Sequence, residues 1–342
     1  MLYLCPIMEI FPTQYSLLST EGLNSYLSAK YGLVNTTCRL LIHNVSDTYL
    51  LETKDDDSKY IFKVYRNAHR SYDEINGEIE LLTILKDKDA KVSIPLKDLD
   101  GRYIQLFNVG EGVKRGVMFS FAQGKIANPL TEEHIKIIGH EIAVIHNITA
   151  NLALSYERKS YDVDTLLTYP VNVLKTAFKD LPEEYEYLKE VSERVAVKIR
   201  QFDLSQFSYG YCHYDFLPKN FHFTEDNQIT FFDFDFAGKG LLANDIASFY
   251  VFFFIEVFAT KRYTQEEADR LFAVFIKVYR EVRPFSDDEL KSIPYLGFAF
   301  WIFYLGFQYE NFEDWSNMFF GPNFLRERIR LLKQWDEWYI HE

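Results

Sequence analysis

His213-Tyr214-Asp215-Phe216-Leu217-Pro218-Lys219-Asn220, followed by Phe231-Phe232-Asp233-Phe234-Asp235, is the stretch on which the reading of this chain turns. An Asp, an Asn five residues on and an Asp thirteen beyond that sit among apolar neighbours. Carboxylates beside Phe231, Phe232, Phe234 and Phe236 are expensive to bury unless a metal or hydrogen-bond donors compensate them. An Asn and an Asp flanking a strand-like hairpin can together offer oxygen ligands to Mg²⁺, an ion that takes few protein ligands and completes its shell with phosphate oxygens and water. A third carboxylate nearby can accept a proton from a hydroxyl nucleophile. Those are the parts that phosphoryl transfer requires, a reaction in which positioning and charge neutralisation do most of the catalysis.

Upstream of this stretch the pattern alternates between strand and helix. Thr36 to Ile42, Thr48 to Thr53 and Tyr60 to Tyr65 are strand-like, the last two joined by the charged turn Lys54-Asp55-Asp56-Asp57-Ser58-Lys59. Ile75, Ile79, Leu82 and Leu85 have helical spacing between Ser71 and Leu85, and two further strands are expected over Tyr103 to Val109 and Gly116 to Phe121. After Gln123-Gly124 helices take over. Thr131 can cap a helix from Glu132 to about Thr149, with Ile135, Ile138, Ile142 and Ile145 on one face, and Pro182 opens another to about Phe202. Short strands over Gln206 to Cys212 and Gln228 to Phe234 flank the decisive loop, and everything beyond Asp245 reads as helix. The expected organisation is a lobe over 1–119, a hinge over 120–124 and a larger helical lobe over 125–342.

Of the 342 residues, 37 are Lys or Arg and 50 Asp or Glu, a net charge of −13 that argues against a nucleic-acid partner. Residues 1–123 carry net −2 and residues 124–342 carry net −11, so the acidity belongs to the helical part. Cys5, Cys38 and Cys212 are odd in number with no CxxC spacing, which indicates neither a disulfide framework nor a zinc site and fits a cytoplasmic protein. The apolar runs Ile246 to Ile255 and Tyr295 to Phe307 fall short of the roughly 20 residues that a membrane span needs, so buried helices are expected and no membrane association. The apolar start, Met1 to Met8, lacks a basic region and meets Glu9 at once, so no signal peptide is expected.

The stretch around Asp215 resembles the aminoglycoside phosphotransferase/choline kinase family, whose signature reads approximately H-G-D-x-x-x-x-N, then a strand ending I-D-F-D. The resemblance implies an α+β, bilobal protein-kinase-like fold: a small antiparallel-sheet N-terminal lobe with one main helix, and a large, mainly helical C-terminal lobe. It implies an ATP- and Mg²⁺-dependent kinase of a small-molecule hydroxyl acceptor, with Asp215 as catalytic base and Asn220 and Asp233 as metal ligands. His213 then matches the loop's structural histidine, and Asp245 in Asn244-Asp245-Ile246-Ala247 a brace for the catalytic loop. Lys63, emerging from the apolar strand Tyr60-Ile61-Phe62-Lys63-Val64-Tyr65, would orient the ATP phosphates, held by Glu78 rather than its rivals Glu74 and Glu80. Ser120-Phe121-Ala122 would be the hinge, with backbone groups of Ser120 and Ala122 facing adenine.

Three positions depart from the family's pattern. Tyr214 stands where a glycine is expected, Lys219 precedes Asn220 and is open between meeting a phosphate and pointing to water, and the phosphate loop His43-Asn44-Val45-Ser46-Asp47-Thr48 has no glycine. Backbone N–H groups with the Ser46 and Thr48 hydroxyls would have to cradle phosphate there. Phe232 to Gly238 and Tyr279 to Leu290 resemble the branch that contains bacterial homoserine kinases and a stress-response Ser/Thr kinase. A protein kinase using the same machinery and a catalytically silent nucleotide-binding module are the alternatives. Cys212 and His213, adjacent in a strand, point to opposite faces and make no nucleophile–base pair. His140 and His146 read as ordinary core or surface histidines, and Trp301, Tyr304 and Phe307 as core more than substrate wall.

Overall fold

The computed structural model describes residues 13–311 and 320–340. The start over Met1 to Met8 lies outside them. The chain divides into two compact units: the described part of Met1–Ile75 with Ile94–Phe121, and Asn76–Ser93 with the described part of Ala122–Glu342.

The first unit is an antiparallel sheet backed by a helix. Helix α1 (Thr20–Tyr31) precedes β1 (Thr36–His43), β2 (Ser46–Thr53) and β3 (Lys59–Tyr65). Helix α2 (Tyr72–Asp87) starts in this unit and runs into the second, and β4 (Pro95–Leu96), β5 (Ile104–Val109) and β6 (Gly112–Ser120) complete the sheet. The strand order is β1-β2-β3-β6-β4, with β5 also on β6. Leu23 and Leu27 of α1 pack with Tyr49, Leu51, Phe62, Val64 and Met118 into one core. Gly116 is required opposite Phe62, whose ring atoms stand 2.4 Å from where a Cβ would be.

The second unit is mainly helical. Helix α3 (Glu132–Thr149) begins at Thr131, whose hydroxyl accepts from the His134 N–H while the His134 ring accepts from the Thr131 N–H. Its apolar face is buried throughout: Ile135, Ile138 and Ile142 have no exposed surface. Next come β7 (Ser160–Tyr161), a π-helical turn Asp164–Thr168, α4 (Tyr169–Leu174) and α5 (Pro182–Gln201). Strands β8 (Tyr209–Cys212), β9 (Phe221–Phe223), β10 (Ile229–Phe231) and β11 (Gly238–Leu241) are short; β9 and β10 form a hairpin, and β11 lies between β7 and β8. Helices α6 (Ala243–Phe258), α7 (Gln265–Val282), α8 (Asp287–Asn311) and α9 (Pro322–Tyr339) follow. By length and apolarity α8 alone among the described helices could cross a membrane, and two-thirds of its most apolar window is buried inside the protein.

Sequence periodicity places α3 and α5 to within a residue or two. It omits α1, α4 and the short strands β4, β7 and β11, and it carries β8 back to Gln206 and β10 on to Phe234, each of which belongs to a 3₁₀ turn.

Candidate active site

Strand β8 delivers the loop that carries Asp215, and the first turn of α6 holds it. Asp245 accepts the backbone N–H of His213 through Oδ2 (2.8 Å) and that of Tyr214 through Oδ1 (2.5 Å). One turn on, the Ser248 hydroxyl accepts the Phe216 N–H (3.2 Å) and donates to the Asp245 carbonyl (2.8 Å). His146 of α3 reaches the same Asp245 Oδ2 with Nε2 (3.0 Å), and its Nδ1 meets the Tyr279 hydroxyl (2.8 Å). Asp245, His146 and Ser248 are wholly buried. Three polar contacts converge on the two Asp245 carboxylate oxygens, which compensates the burial of the group.

Tyr214 turns the chain with φ 65°, the left-handed region where the family pattern has glycine. A non-glycine residue there costs on the order of 1–2 kcal/mol. Stacking offsets it: the Tyr214 ring lies flat on Tyr161 (centroids 4.0 Å, 11° between planes) and edge-on to Phe303 (5.1 Å).

His213 locks the loop to the following hairpin. Its Nδ1 accepts the Asp215 N–H (3.2 Å), so Nε2 carries the proton and donates to the Phe232 carbonyl (3.0 Å). Asp215 is buried. Its Oδ2 receives the Lys219 ammonium (2.8 Å) and the Asn220 amide Nδ2 (2.8 Å), while Oδ1 has no protein partner. Burial pushes the Asp215 carboxyl up, Lys219 and His213 pull it down, and the Asp233 carboxylate pushes it up further. Burial works against the Lys219 charge, but the Asp215 carboxylate outweighs it and raises the lysine's proton affinity.

Asn220 and Asp233 are brought together by the β9–β10 hairpin. Phe221 pairs with Phe231, and the Phe232 N–H donates to the Asn220 carbonyl (2.9 Å), so the residues flanking the two strands are neighbours. With Nδ2 turned to Asp215, the Asn220 side chain leaves its Oδ1 for a cation; Asp233 adopts φ 63° and is exposed. An amide oxygen plus a carboxylate is a hard donor pair that fits Mg²⁺. Among the described residues there is no cluster of three or more His, Cys, Asp or Glu that would favour a metal held by protein alone. Asp235 is buried beside this turn. Arg158 grips the turn from below: Nε donates to the Ala237 carbonyl (2.7 Å), and Nη2 to those of Asp235 (2.6 Å) and Phe234 (3.2 Å).

The remaining expected residues fall in both units. In the first, Lys63 is buried in β3 with its ammonium 5.1 Å from the Tyr65 ring centroid. The glycine-free tip between β1 and β2 is tied by His43 to buried Asp47 (2.5 Å), with the Lys114 ammonium 3.7 Å from Asp47, and the Val45 carbonyl is 2.8 Å from His69 Nδ1. Ser46 is buried in that tip. Ser120 gives its N–H to the Ile94 carbonyl (2.9 Å) and takes the Ile94 N–H on its hydroxyl (3.0 Å). In the second unit, the Ala122 carbonyl meets His222 Nδ1 (2.7 Å), and Glu78 is buried on α2. Its rivals are engaged elsewhere: Glu74 accepts the Ser71 N–H (2.9 Å), and Glu80 accepts the N–H groups of Ser155 (2.8 Å) and Tyr156 (3.3 Å).

Three contributors escaped sequence reasoning. His146 had a signal, because it continues the row Ile138–Ile142 of α3 into the core, where a polar ring must find partners. Tyr279 and Arg158 had none, since their partners lie far along the chain.

An antiparallel sheet unit followed by a helical unit whose Asp loop, Asn and Asp surround one buried carboxylate defines a protein-kinase-like phosphotransferase. The chain belongs to the phosphotransferase enzyme family, whose model matches residues 37–285, and is accordingly a kinase. A Deinococcus radiodurans protein is 27% identical over 327 residues, 96% of this chain and 93% of its own. The amicoumacin kinase of Bacillus subtilis is 26% identical over 226 residues, 64% of each chain. Among solved structures, amicoumacin kinase hAmiN in complex with AMP-PNP, Ca²⁺ and Ami superposes with a TM-score of 0.73 at 18% identity, covering 94% of both chains. The microcompartment-associated aminopropanol kinase gives 0.64 at 19% identity, covering 93% and 95%. Both have the same fold as this chain.

Proposed function

We propose that this protein transfers the γ-phosphoryl group of ATP, with Mg²⁺, to a hydroxyl of a small molecule. The observation that carries the reading is the divided carboxylate of Asp215: Oδ2 is held by Lys219 and Asn220, and Oδ1 is buried and bare. A carboxylate so held presents one oxygen to an incoming O–H. As the acceptor oxygen forms its bond to the γ-phosphorus, its proton passes to Asp215 Oδ1, and the bond from phosphorus to the leaving ADP oxygen breaks. Mg²⁺, when bound on Asn220 and Asp233, neutralises charge on the phosphates. Lys63, with Glu78, orients the α/β-phosphates, the β1–β2 tip with Ser46 covers them, and Ser120 and Ala122 border adenine. That small-molecule kinases such as amicoumacin kinase and aminopropanol kinase share the fold supports a small-molecule acceptor.

The test is an ADP-release screen over amino alcohols, homoserine, choline, sugars, aminoglycosides and a generic protein substrate, run with the wild type and Asp215→Asn. Stimulation by a small molecule is expected, abolished in the variant while the thermal shift with ATP and Mg²⁺ persists. Stimulation by the protein substrate alone, or unchanged turnover in Asp215→Asn, overturns the reading.

A further inference from the structure

Arg328 of α9 carries a half-buried guanidinium. It stacks over Phe324 one turn earlier (4.7 Å) and over the Trp301 indole of α8 (6.0 Å), and no carboxylate among the described residues pairs with it. Its helix neighbours do find partners: Arg326 reaches Glu184 (3.8 Å), and Arg330 takes Glu327 (2.6 Å). Burial works against the Arg328 charge, and the Tyr304 and Glu327 side chains support it. Trp301 Nε1 is buried and has no acceptor. Tyr304, one turn along α8 from Trp301, links this group to the base: the Lys219 ammonium stands 5.5 Å from its ring centroid and 2.8 Å from Asp215 Oδ2. Asp215, Lys219, Tyr304, Arg328 and Trp301 thus form one contiguous wall.

Apart from Asp215 Oδ1, the unmet groups on that wall are donors. A half-buried cation with no counter-ion among the described residues, beside an indole N–H with no acceptor among them, is an arrangement that a planar anion completes, and a guanidinium takes a carboxylate through two parallel N–H···O bonds. We propose that Arg328, with Trp301 Nε1 and the Tyr304 hydroxyl, is a carboxylate subsite, and that the acceptor is a hydroxy acid. Its hydroxyl lies at Asp215 Oδ1 and its carboxylate on Arg328, an assignment that rests on the kinase reading above. Local charge here opposes the helical part's overall acidity: the wall carries two cations, Lys219 on the base and Arg328 beside Trp301.

The experiment compares acceptor pairs that differ only in the carboxylate: homoserine against 3-aminopropan-1-ol, serine against ethanolamine, glycerate against ethylene glycol. Initial ADP release is measured for the wild type, Arg328→Gln, Arg328→Lys and Trp301→Phe, and each protein's thermal shift with ATP and Mg²⁺ is recorded. The wild type is expected to favour the carboxylate member of at least one pair by about tenfold or more in kcat/KM, the scale of one hydrogen bond to a charged group. Arg328→Gln should raise KM for that member by a similar factor with kcat little changed. Arg328→Lys should recover part of the loss, Trp301→Phe should show a smaller one, and the nucleotide shift should be equal in all four proteins. A wild-type preference for the decarboxylated members, a preference unchanged in Arg328→Gln, or a nucleotide shift lost with Arg328 overturns the subsite and leaves the kinase reading standing. No stimulation by any acceptor overturns both.

Discussion

His146 Nε2 lies 3.0 Å from the Asp245 oxygen that also accepts the backbone N–H of His213. The position of the Asp215 loop is therefore set by a pair buried on α3 and α6. Removing one partner of such a group costs about 1–3 kcal/mol. His146→Ala should lower kcat by about tenfold, leave KM for ATP within about twofold and reduce the unfolding midpoint, with His146→Gln recovering part of kcat. A wild-type kcat in His146→Ala, measured on folded protein, would remove the histidine from catalysis.

Tyr214 combines left-handed backbone with a buried ring. Glycine would relieve the backbone by about 1 kcal/mol but forfeit an aromatic burial of about 1.5–3 kcal/mol plus stacking. Tyr214→Gly should therefore destabilise by roughly 1–3 kcal/mol in urea unfolding. The Tyr214 hydroxyl is buried without a partner, so Tyr214→Phe should be neutral or stabilising. A stabilising glycine, or a costly phenylalanine, would contradict this balance.

Lys219→Met deletes the ammonium on Asp215 Oδ2 and leaves the buried carboxylate with the Asn220 amide as its remaining side-chain donor. Lys219 is itself exposed, but leaving the buried Asp215 carboxylate short of a donor is costly. A fall in kcat of about tenfold or more is expected, with Lys219→Arg retaining more activity than Lys219→Met. Equal kcat in both variants would show that the charge on Asp215 is immaterial.

Glu111, after β5, accepts hydrogen bonds from the Ser16 hydroxyl (2.7 Å) and the Thr13 hydroxyl (2.8 Å). Burial alone would raise its carboxyl, but these donors and Lys114 hold it down to about 2, against 4.5 ordinarily. A carboxyl depressed in the folded state stabilises fully above its unfolded value, and the contribution is lost as pH falls through the folded one. Glu111→Gln should thus be less stable than the wild type at pH 7, with the gap in urea midpoint closing between about pH 5 and pH 2. A gap independent of pH would deny the depressed value.

The grouping of the candidate site could be read from the chain because its pattern is local: His213, Asp215 and Asn220 lie within eight residues and Asp233 at the end of one hairpin. Helix α3 was legible for the same reason, through Thr131 and its row of isoleucines. What could not be read depends on partners far along the chain. His146 and Asp245 are 99 residues apart, and Arg158 meets carbonyls 76 to 79 residues later. Strand β11, Gly-Lys-Gly-Leu, has no strand composition; it exists because β7 and β8 flank it, and a Cβ on Gly238 would stand 2.4 Å from the Lys159 carbonyl oxygen. The residue pattern left Lys219 between phosphate and water, whereas its ammonium rests on Asp215.

The hold of Arg158 on the carbonyls of Phe234, Asp235 and Ala237 has a consequence for control. A guanidinium that clasps three carbonyls within four residues denies the turn behind Asp233 the freedom to swing. On the proposed assignment of Asp233 to Mg²⁺, its carboxylate is thus held in place before nucleotide arrives, and the reorganisation that a mobile turn would demand at each cycle is avoided. An enzyme built this way answers to the supply of its substrates, not to a rearrangement of that segment.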